Sequence, residues 1–110
     1  EYTPFNLMTD VIKNSAVTAM IDFGDAMIGY PEYDLLGPSL FMAEGKSELV
    51  YALFEGYGLL SEQINEEFRH RLMVLAVLHR YSNLHVQIRI PDWENRARSL
   101  LDLEKLIWPF

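Results

Sequence analysis

Residues 17–21 form a short run of β-branched and apolar side chains that ends abruptly at residues 22–25, Asp-Phe-Gly-Asp. A run of this kind predicts a buried β-strand. A carboxylate at the end of a rigid strand is a suitable ligand for Mg²⁺, which takes few protein oxygens and completes its coordination shell with phosphate oxygens. The tripeptide Asp-Phe-Gly is short, however, and taken alone it fits an ordinary acidic turn better than a metal site.

A second apolar run, residues 5–9, precedes the first and is separated from it by the turn-forming residues Lys13, Asn14 and Ser15. Two such runs around a turn predict an antiparallel β-hairpin over residues 5–9 and 16–21. The N-terminal part of the chain is therefore expected to form strands.

The rest of the chain, residues 38–110, shows the spacing of apolar residues that is typical of helices. A helix is predicted over residues 47–57, with Gly58 as its C-terminal cap. A longer helix is predicted over residues 61–82, and its continuous apolar stretch indicates a central helix that is buried on most sides. A last helix is predicted over residues 93–107. The sequence thus indicates an α+β chain that is mostly helical, with one N-terminal β-hairpin.

Composition excludes several classes of protein. The chain has 110 residues, half of them hydrophobic, which is enough for one domain with one core and too apolar for a disordered chain. It contains no cysteine, so disulfides and thiolate metal sites are excluded. Its net charge of −7 argues against nucleic acid as a partner. No apolar run is long enough to cross a bilayer and no signal sequence opens the chain, so we expect a cytoplasmic protein with no membrane partner.

A longer pattern surrounds the Asp-Phe-Gly step. Residues 21–26 read Ile-Asp-Phe-Gly-Asp-Ala, and they are followed by Gly29 and by residues 31–35, Pro-Glu-Tyr-Asp-Leu. This pattern resembles the metal-binding segment of the aminoglycoside phosphotransferase family, which has a kinase-like fold. The usual family form has Asp between the glycine and the proline, where this chain has Tyr30. The resemblance implies that Asp22 ligates the Mg²⁺ ions that bridge the phosphates of ATP, the co-substrate.

The start of the chain resembles the catalytic loop of the same family. That loop reads His-x-Asp, four further residues and Asn; here Glu1 is followed by four residues and then Asn6. The resemblance implies that Glu1 is the catalytic residue that orients or deprotonates the attacking hydroxyl, and that Asn6 is a second Mg²⁺ ligand. Glu in place of Asp moves the carboxylate by roughly 1 Å, a shift that matters for positioning. Without the resemblance, Asn6 fits an ordinary turn residue.

The two motifs and the hairpin predict one arrangement. A hairpin that joins the catalytic loop to the metal-binding loop would hold Glu1, Asn6 and Asp22 on one rigid element, and rigid positioning is what phosphoryl transfer needs. We therefore divide residues 1–110 into a catalytic-loop remnant (1–8), a metal-binding loop (19–36) and a helical region (38–110). Together they resemble the C-terminal part of the large lobe of a kinase-like enzyme.

The sequence lacks the other parts that such an enzyme uses. It has no Gly-x-Gly-x-x-Gly loop and no strand-borne Lys for the α- and β-phosphates. We therefore expect a fragment that is inactive alone, whose parent phosphorylates a hydroxyl of a small molecule, an aminoglycoside being one candidate. We also expect the fragment to self-associate or to pair with the missing N-terminal lobe, because its apolar hairpin would be uncovered. The alternative is a non-catalytic helical interaction module that retains a degenerate kinase-like segment.

The histidines and glutamates give weaker signals. No two histidines have the i, i+4 spacing of a zinc helix, so a zinc site is rejected. His79 falls on the apolar stripe of the long helix, which fits a histidine at the core boundary better than a ligand. His70 lies among charged residues and is expected on a solvated helix face. Glu62, Glu66, Glu67 and Glu94 are interpreted as lying on solvated helix faces too.

Overall fold

The computed structural model describes residues 3–24 and 26–110. An antiparallel β-hairpin comes first in the chain and helices follow it, which confirms the predicted α+β, mostly helical class. The strands are β1, Leu7–Asp10, and β2, Ala16–Met20. The helices are α1, Ser47–Tyr57; α2, Glu66–Leu78; α3, Leu84–Gln87; α4, Trp93–Arg96; and α5, Leu100–Ile107.

The hairpin has the predicted pairing. Leu7 pairs with Met20 and Met8 with Ala19, and the register then shifts by one residue before Thr9 pairs with Val17. The turn closes through residues in the left-handed region, since Asn14 has φ 52° and Ser15 has φ 59°. Asn tolerates this region better than most residues, which explains why it stands in the turn.

The prediction that residues 17–21 are buried is wrong. Val17 is 62% exposed and Ile21 is 47% exposed. Within β2, Met20 is half-buried and the other four residues are exposed. The reason is that a two-stranded sheet needs a covering helix or further strands to shield an apolar face, and within the described residues the hairpin pairs only with itself. Its apolar side chains therefore reach water.

The segment between the hairpin and α1 turns the chain into the helical core. Pro31–Leu35 is a 3₁₀ helix and Gly37–Met42 is a π-helix. The N–H of Ala43, which follows the π-helix, donates to the carbonyl of Pro38 over 2.9 Å. Gly45, just before α1, has φ 71°, and a Cβ there would stand 2.7 Å from the carbonyl oxygen of Leu106. Both the backbone conformation and the space at this position require glycine.

The core lies between α1, α2 and the C-terminal segment. The rings of Phe54 and Phe68 meet edge to face at 5.3 Å, and Trp108 is fully buried. The buried apolar side chains are Leu35, Leu36, Leu40, Ala43, Val50, Phe54, Phe68, Leu72, Met73, Ala76, Ile88, Ile90, Leu103, Ile107 and Trp108. Helix α1 has the predicted bounds and ends at Gly58, whose φ of 96° is that of a left-handed cap.

The predicted helix over residues 61–82 is wrong in both bounds and burial. Ser61–Gln63 is a separate 3₁₀ turn, and α2 begins only after Asn65, whose side-chain oxygen accepts from the N–H of Phe68 over 3.0 Å. An Asn side chain in that position caps a helix, so a new helix starts there. Leu78 is 75% exposed, so the end of α2 is not buried on most sides.

The predicted helix over residues 93–107 is also divided. It consists of α4 and α5, separated at Ser99, whose hydroxyl oxygen accepts from the N–H of Asp102 over 3.1 Å. Ser is a favoured N-cap residue, and this local hydrogen bond competes with continuation of the preceding helix. Among the described residues, none of the helices has the length and apolar character that a membrane span requires.

Candidate functional site

Asn6 and Asp22 lie at the open end of the hairpin. The strand pairing ends at Leu7 and Met20, and one step further the N–H of Ile21 donates to the carbonyl of Asn6 over 2.9 Å. Asp22 follows directly. The hairpin therefore brings together two residues that the sequence separates, as the predicted arrangement requires.

The backbone at Asp22 has an uncommon conformation. Its φ is 63°, in the left-handed region, whereas the neighbouring Gly24 does not occupy that region. A non-glycine residue there carries a conformational cost of order 1–3 kcal/mol, and such residues cluster at functional sites. The carboxylate residue itself, and not the glycine, therefore adopts the left-handed conformation at this turn.

Two clefts meet at Asp22. The first, of about 380 Å³, is named here the Asn6 cleft. The second, of about 450 Å³, is named the Tyr30 cleft. Side chains that line the Asn6 cleft include Asn6, Asp22, Phe41, His79, Tyr81 and Gln87. Side chains that line the Tyr30 cleft include Asp22, Phe23, Tyr30, Tyr33, Asp34 and Leu75.

A stacked pair of rings joins the walls of the two clefts. Tyr33, from the Tyr30 cleft, and His79, from the Asn6 cleft, have ring centroids 4.5 Å apart and an interplanar angle of 21°. The N–H of Tyr81 donates to Nδ1 of His79 over 3.0 Å, which fixes the orientation of the ring. Asp22 lines both clefts, so it is the residue that the two clefts share.

The structure places His79 at the boundary of the core, half-buried, as the sequence indicated. Sequence reasoning did not predict that it lines the same cleft as Asn6 and Asp22. Helical spacing identifies the face of a helix on which a residue lies, but it carries no information about a partner such as Tyr33, which is distant in the chain. His70 is exposed, and its Nδ1 is 2.8 Å from a carboxylate oxygen of the buried Glu104.

The donor atoms available to a cation are hard oxygens. Asn6 offers an amide oxygen and Asp22 a carboxylate, and Mg²⁺ is commonly held by one or two protein carboxylates together with substrate phosphates. Within the residues that the structure describes, no group of three or more His, Asp or Glu side chains is arranged to hold a metal alone. The donor set fits a cation that takes most of its ligands from a bound nucleotide. Glu1 and Asp25 lie outside the described residues.

One comparison with known proteins finds a match. The family model described as the phosphotransferase enzyme family matches residues 1–73. The match includes the hairpin, Glu1, Asn6 and Asp22, and it ends within α2. No curated protein and no solved structure matches the chain.

Proposed function

Because the chain belongs to the phosphotransferase enzyme family, we propose that it forms part of an enzyme that transfers the γ-phosphoryl group of ATP to a hydroxyl of a small molecule. The observation that carries this proposal is the convergence of Asn6 and Asp22 on one cleft at the end of the hairpin. An aminoglycoside is one candidate acceptor, because the motifs resemble those of the aminoglycoside phosphotransferase family. We propose that the reaction takes place in the cytoplasm.

The proposed chemistry depends mainly on positioning. The acceptor oxygen bonds to the γ-phosphorus, the bond from that phosphorus to the β-phosphate oxygen breaks, and ADP leaves. The hydroxyl proton passes to the carboxylate of Glu1, which also orients the attacking oxygen. Such a reaction requires little covalent chemistry from the protein, so catalysis comes from alignment and charge stabilisation.

The roles proposed for Asn6 and Asp22 follow from their donor atoms. Their side-chain oxygens would hold Mg²⁺, which when bound neutralises charge on the β- and γ-phosphates. Asp22 is mounted on a strained backbone next to the paired strands, and Asn6 is fixed by its carbonyl contact to Ile21. A backbone fixed in this way limits how far the carboxylate has to move when the metal nucleotide arrives.

The test uses the complete gene product. It is incubated with ATP labelled at the γ-phosphate, Mg²⁺ and a panel of hydroxylated acceptors, which includes aminoglycosides, sugars and sugar phosphates. We expect ADP formation that depends on an acceptor and on the metal, and no transfer by residues 1–110 alone, because the parts that grip the α- and β-phosphates are lacking.

The proposal is refuted if the complete, folded gene product transfers no phosphoryl group to any member of the panel while it also fails to bind Mg²⁺ and ATP. That result would favour the alternative of a helical interaction module. Hydrolysis of ATP without an acceptor would support the metal and nucleotide roles and would leave the acceptor to be found by a wider panel.

A further inference from the structure

Four of the described side chains that line the Asn6 cleft are aromatic. Phe5 and Phe41 form one pair, with ring centroids 6.5 Å apart and an interplanar angle of 53°. His79 and Tyr81 form a second pair, with ring centroids 5.8 Å apart and an interplanar angle of 43°. The cleft thus collects rings from the N-terminal half of the chain and from the segment that follows α2.

These rings present apolar surface to solvent. Phe5 is 78% exposed and Tyr81 is 45% exposed. Phe41 and His79 are half-buried. The cleft is also lined by three side chains of the buried core, which are Leu36, Leu40 and Ala76. It therefore extends from exposed rings to the apolar core, and an apolar group bound in it would remove that surface from water.

Two of the four rings already have a positive charge packed against them. The guanidinium carbon of Arg89 lies 3.7 Å from the ring centroid of Phe41, and that of Arg80 lies 4.8 Å from the ring centroid of Tyr81. Both arginines lie outside the lining of the cleft and act on it through the rings that they cover. Aromatic rings attract cations, but a further cation at these two rings would meet charge of the same sign. An uncharged ligand does not meet this repulsion.

We propose that the Asn6 cleft binds a hydroxylated ligand through a flat, uncharged ring, and that this ligand is the acceptor of the phosphoryl group. This inference rests on the proposed function, since it takes the cleft as a substrate site. Stacked and edge-to-face contacts between rings favour a flat partner of this kind. Its hydroxyl would share the cleft with Asn6 and Asp22, the proposed metal ligands.

This chemistry differs from that of a polyammonium acceptor such as an aminoglycoside. Among the described residues, Asp22 is the carboxylate that lines the cleft, and the proposed function assigns it to the metal. Ammonium groups in the cleft would also meet the two rings that arginines cover. His79 and Tyr81 lie beyond the segment that matches the family model, so this pair of rings belongs to the unmatched part of the chain.

The experiment measures binding to the complete gene product by isothermal titration calorimetry. Three probes share the hydroxyls of glucose and differ in one substituent. Phenyl β-glucoside carries a flat ring, methyl β-glucoside lacks it, and 2-aminoethyl β-glucoside carries an ammonium group. Adenosine is a further probe, because the base of ATP is another source of a flat, uncharged ring. The same glucosides are then offered as acceptors together with Mg²⁺ and ATP.

Two variants remove a ring and keep an apolar side chain: Phe41→Leu and Tyr81→Leu. The N–H that Tyr81 donates to His79 belongs to the backbone, so Tyr81→Leu keeps that contact. Tyr51→Leu is the matched control, since Tyr51 is 40% exposed and lines neither cleft. Unchanged thermal unfolding shows that a loss of binding is not a loss of fold. The more exposed Tyr81 supplies the test if Phe41→Leu does not fold.

We expect phenyl β-glucoside to bind about tenfold more tightly than methyl β-glucoside, and the ammonium probe to bind no more tightly than the methyl one. Each ring-removing variant should weaken binding of phenyl β-glucoside by about threefold to tenfold and leave that of methyl β-glucoside unchanged. Tyr51→Leu should leave every affinity nearly unchanged. The affinity for phenyl β-glucoside should vary little with salt, because the ligand is uncharged.

The inference is overturned if the phenyl ring adds no affinity, if the ammonium probe binds most tightly, or if both ring-removing variants retain the affinities of the wild type. Adenosine that binds more tightly than phenyl β-glucoside, and that both variants release, would assign the cleft to the nucleotide and overturn it too. The failure of the proposed function is distinguishable. Ring-dependent binding of phenyl β-glucoside by a gene product without transferase activity retains the class of ligand and rejects that function. Transfer to an aminoglycoside that neither variant alters does the reverse.

Discussion

The backbone N–H of Ile21 donates to the carbonyl oxygen of Asn6 over 2.9 Å. This hydrogen bond lies one step beyond the last paired residues of the hairpin, Leu7 and Met20. It ties the segment that carries Asn6 to the residue that precedes Asp22. The backbone separation of the two proposed metal ligands is consequently set by hydrogen bonding at the end of the hairpin.

Removal of the Asp22 carboxylate should abolish the proposed reaction without unfolding the protein. In the complete gene product, Asp22→Ala is expected to lower kcat by several orders of magnitude, because the metal that neutralises charge on the reacting phosphates loses a ligand. Asp22→Gly is the matched variant: glycine suits φ 63°, so stability should be kept or raised by roughly 1 kcal/mol while activity is lost. Turnover close to that of the wild type in either variant would reject the proposed role; steady-state kinetics and urea unfolding measure the two effects.

Glu1 is tested by a pair of substitutions that separate charge from length. Glu1→Gln removes the base and should cut kcat in the complete gene product, whereas Glu1→Asp keeps the carboxylate and should leave kcat nearly unchanged or raise it. Substrate affinity should change little in both, since the residue acts on the attacking hydroxyl. A fully active Glu1→Gln variant would show that another group takes the proton.

The sequence predicted elements that depend on local chemistry. The hairpin turn at Asn14 and the cap at Gly58 could be read directly, because left-handed backbone limits the residue types that fit. The helix starts at Asn65 and Ser99 were missed, although both are cap residues. The predicted helices ran through both residues because the helical spacing of apolar residues continues on either side of each cap. A single side-chain hydrogen bond ends one helix and starts the next without changing that spacing.

The candidate site was predictable only in part. The spacing of Asn6 and the pattern around Asp22 singled out both residues as candidates, and the structure places both on one cleft at the end of the hairpin. The stack of Tyr33 on His79 and the position of Arg89 over Phe41 join residues that are distant in sequence. Contacts of this kind depend on tertiary packing, and no local pattern encodes them.

The stability of the N-terminal turn of α5 should depend on pH in the acid range. The side-chain hydrogen bond from Ser99 and the backbone N–H of Arg98 hold the pKa of Asp102 below its ordinary value of 3.8. A lowered pKa means that this carboxylate stabilises the fold above its unfolded-state pKa and that the contribution is lost as pH falls through the folded-state pKa. Ser99→Ala should raise the pKa of Asp102 toward 3.8, measured by NMR titration of its carboxyl carbon. An unaltered titration would show that the Ser99 side chain does not lower this pKa.

The last three residues should contribute strongly to stability. Arg69, which is buried, donates to the carbonyl oxygens of Trp108 and Phe110, and the Phe110 ring meets that of Phe54 at 5.8 Å. Phe110→Ala should therefore cost about 2–4 kcal/mol, because it leaves a cavity beside buried rings. Leu101→Ala, at a position that is 54% exposed, is the control, and it should lower the free energy of unfolding by much less than Phe110→Ala does. Equal effects in urea unfolding would mean that the terminal segment is not part of the core.

The uncovered hairpin should make the chain associate with itself. Ile12 is 94% exposed, Val11 is 87% exposed and Phe5 is 78% exposed, and all three belong to the hairpin or its immediate approach. Apolar groups so exposed favour association, and the outer edges of a two-stranded sheet offer unpaired backbone groups to a second strand. We therefore expect sedimentation equilibrium of residues 1–110 to show dimers or larger species as concentration rises from micromolar to millimolar.

The association can be assigned to the hairpin by placing charge on it. Val17→Lys, on β2, should shift the equilibrium toward monomer because a lysine on an edge strand opposes strand pairing. Ile12→Lys should do the same because it replaces an exposed apolar side chain of the hairpin turn with a charge. Leu78→Lys is the matched control: it adds the same charge at a side chain that is 75% exposed at the end of α2, and it should leave association unchanged. A wild-type chain that stays monomeric at every concentration would show that the exposed hairpin does not pair. A Leu78→Lys variant that dissociates as fully as the other two would show that net charge, and not the hairpin edge, controls the assembly.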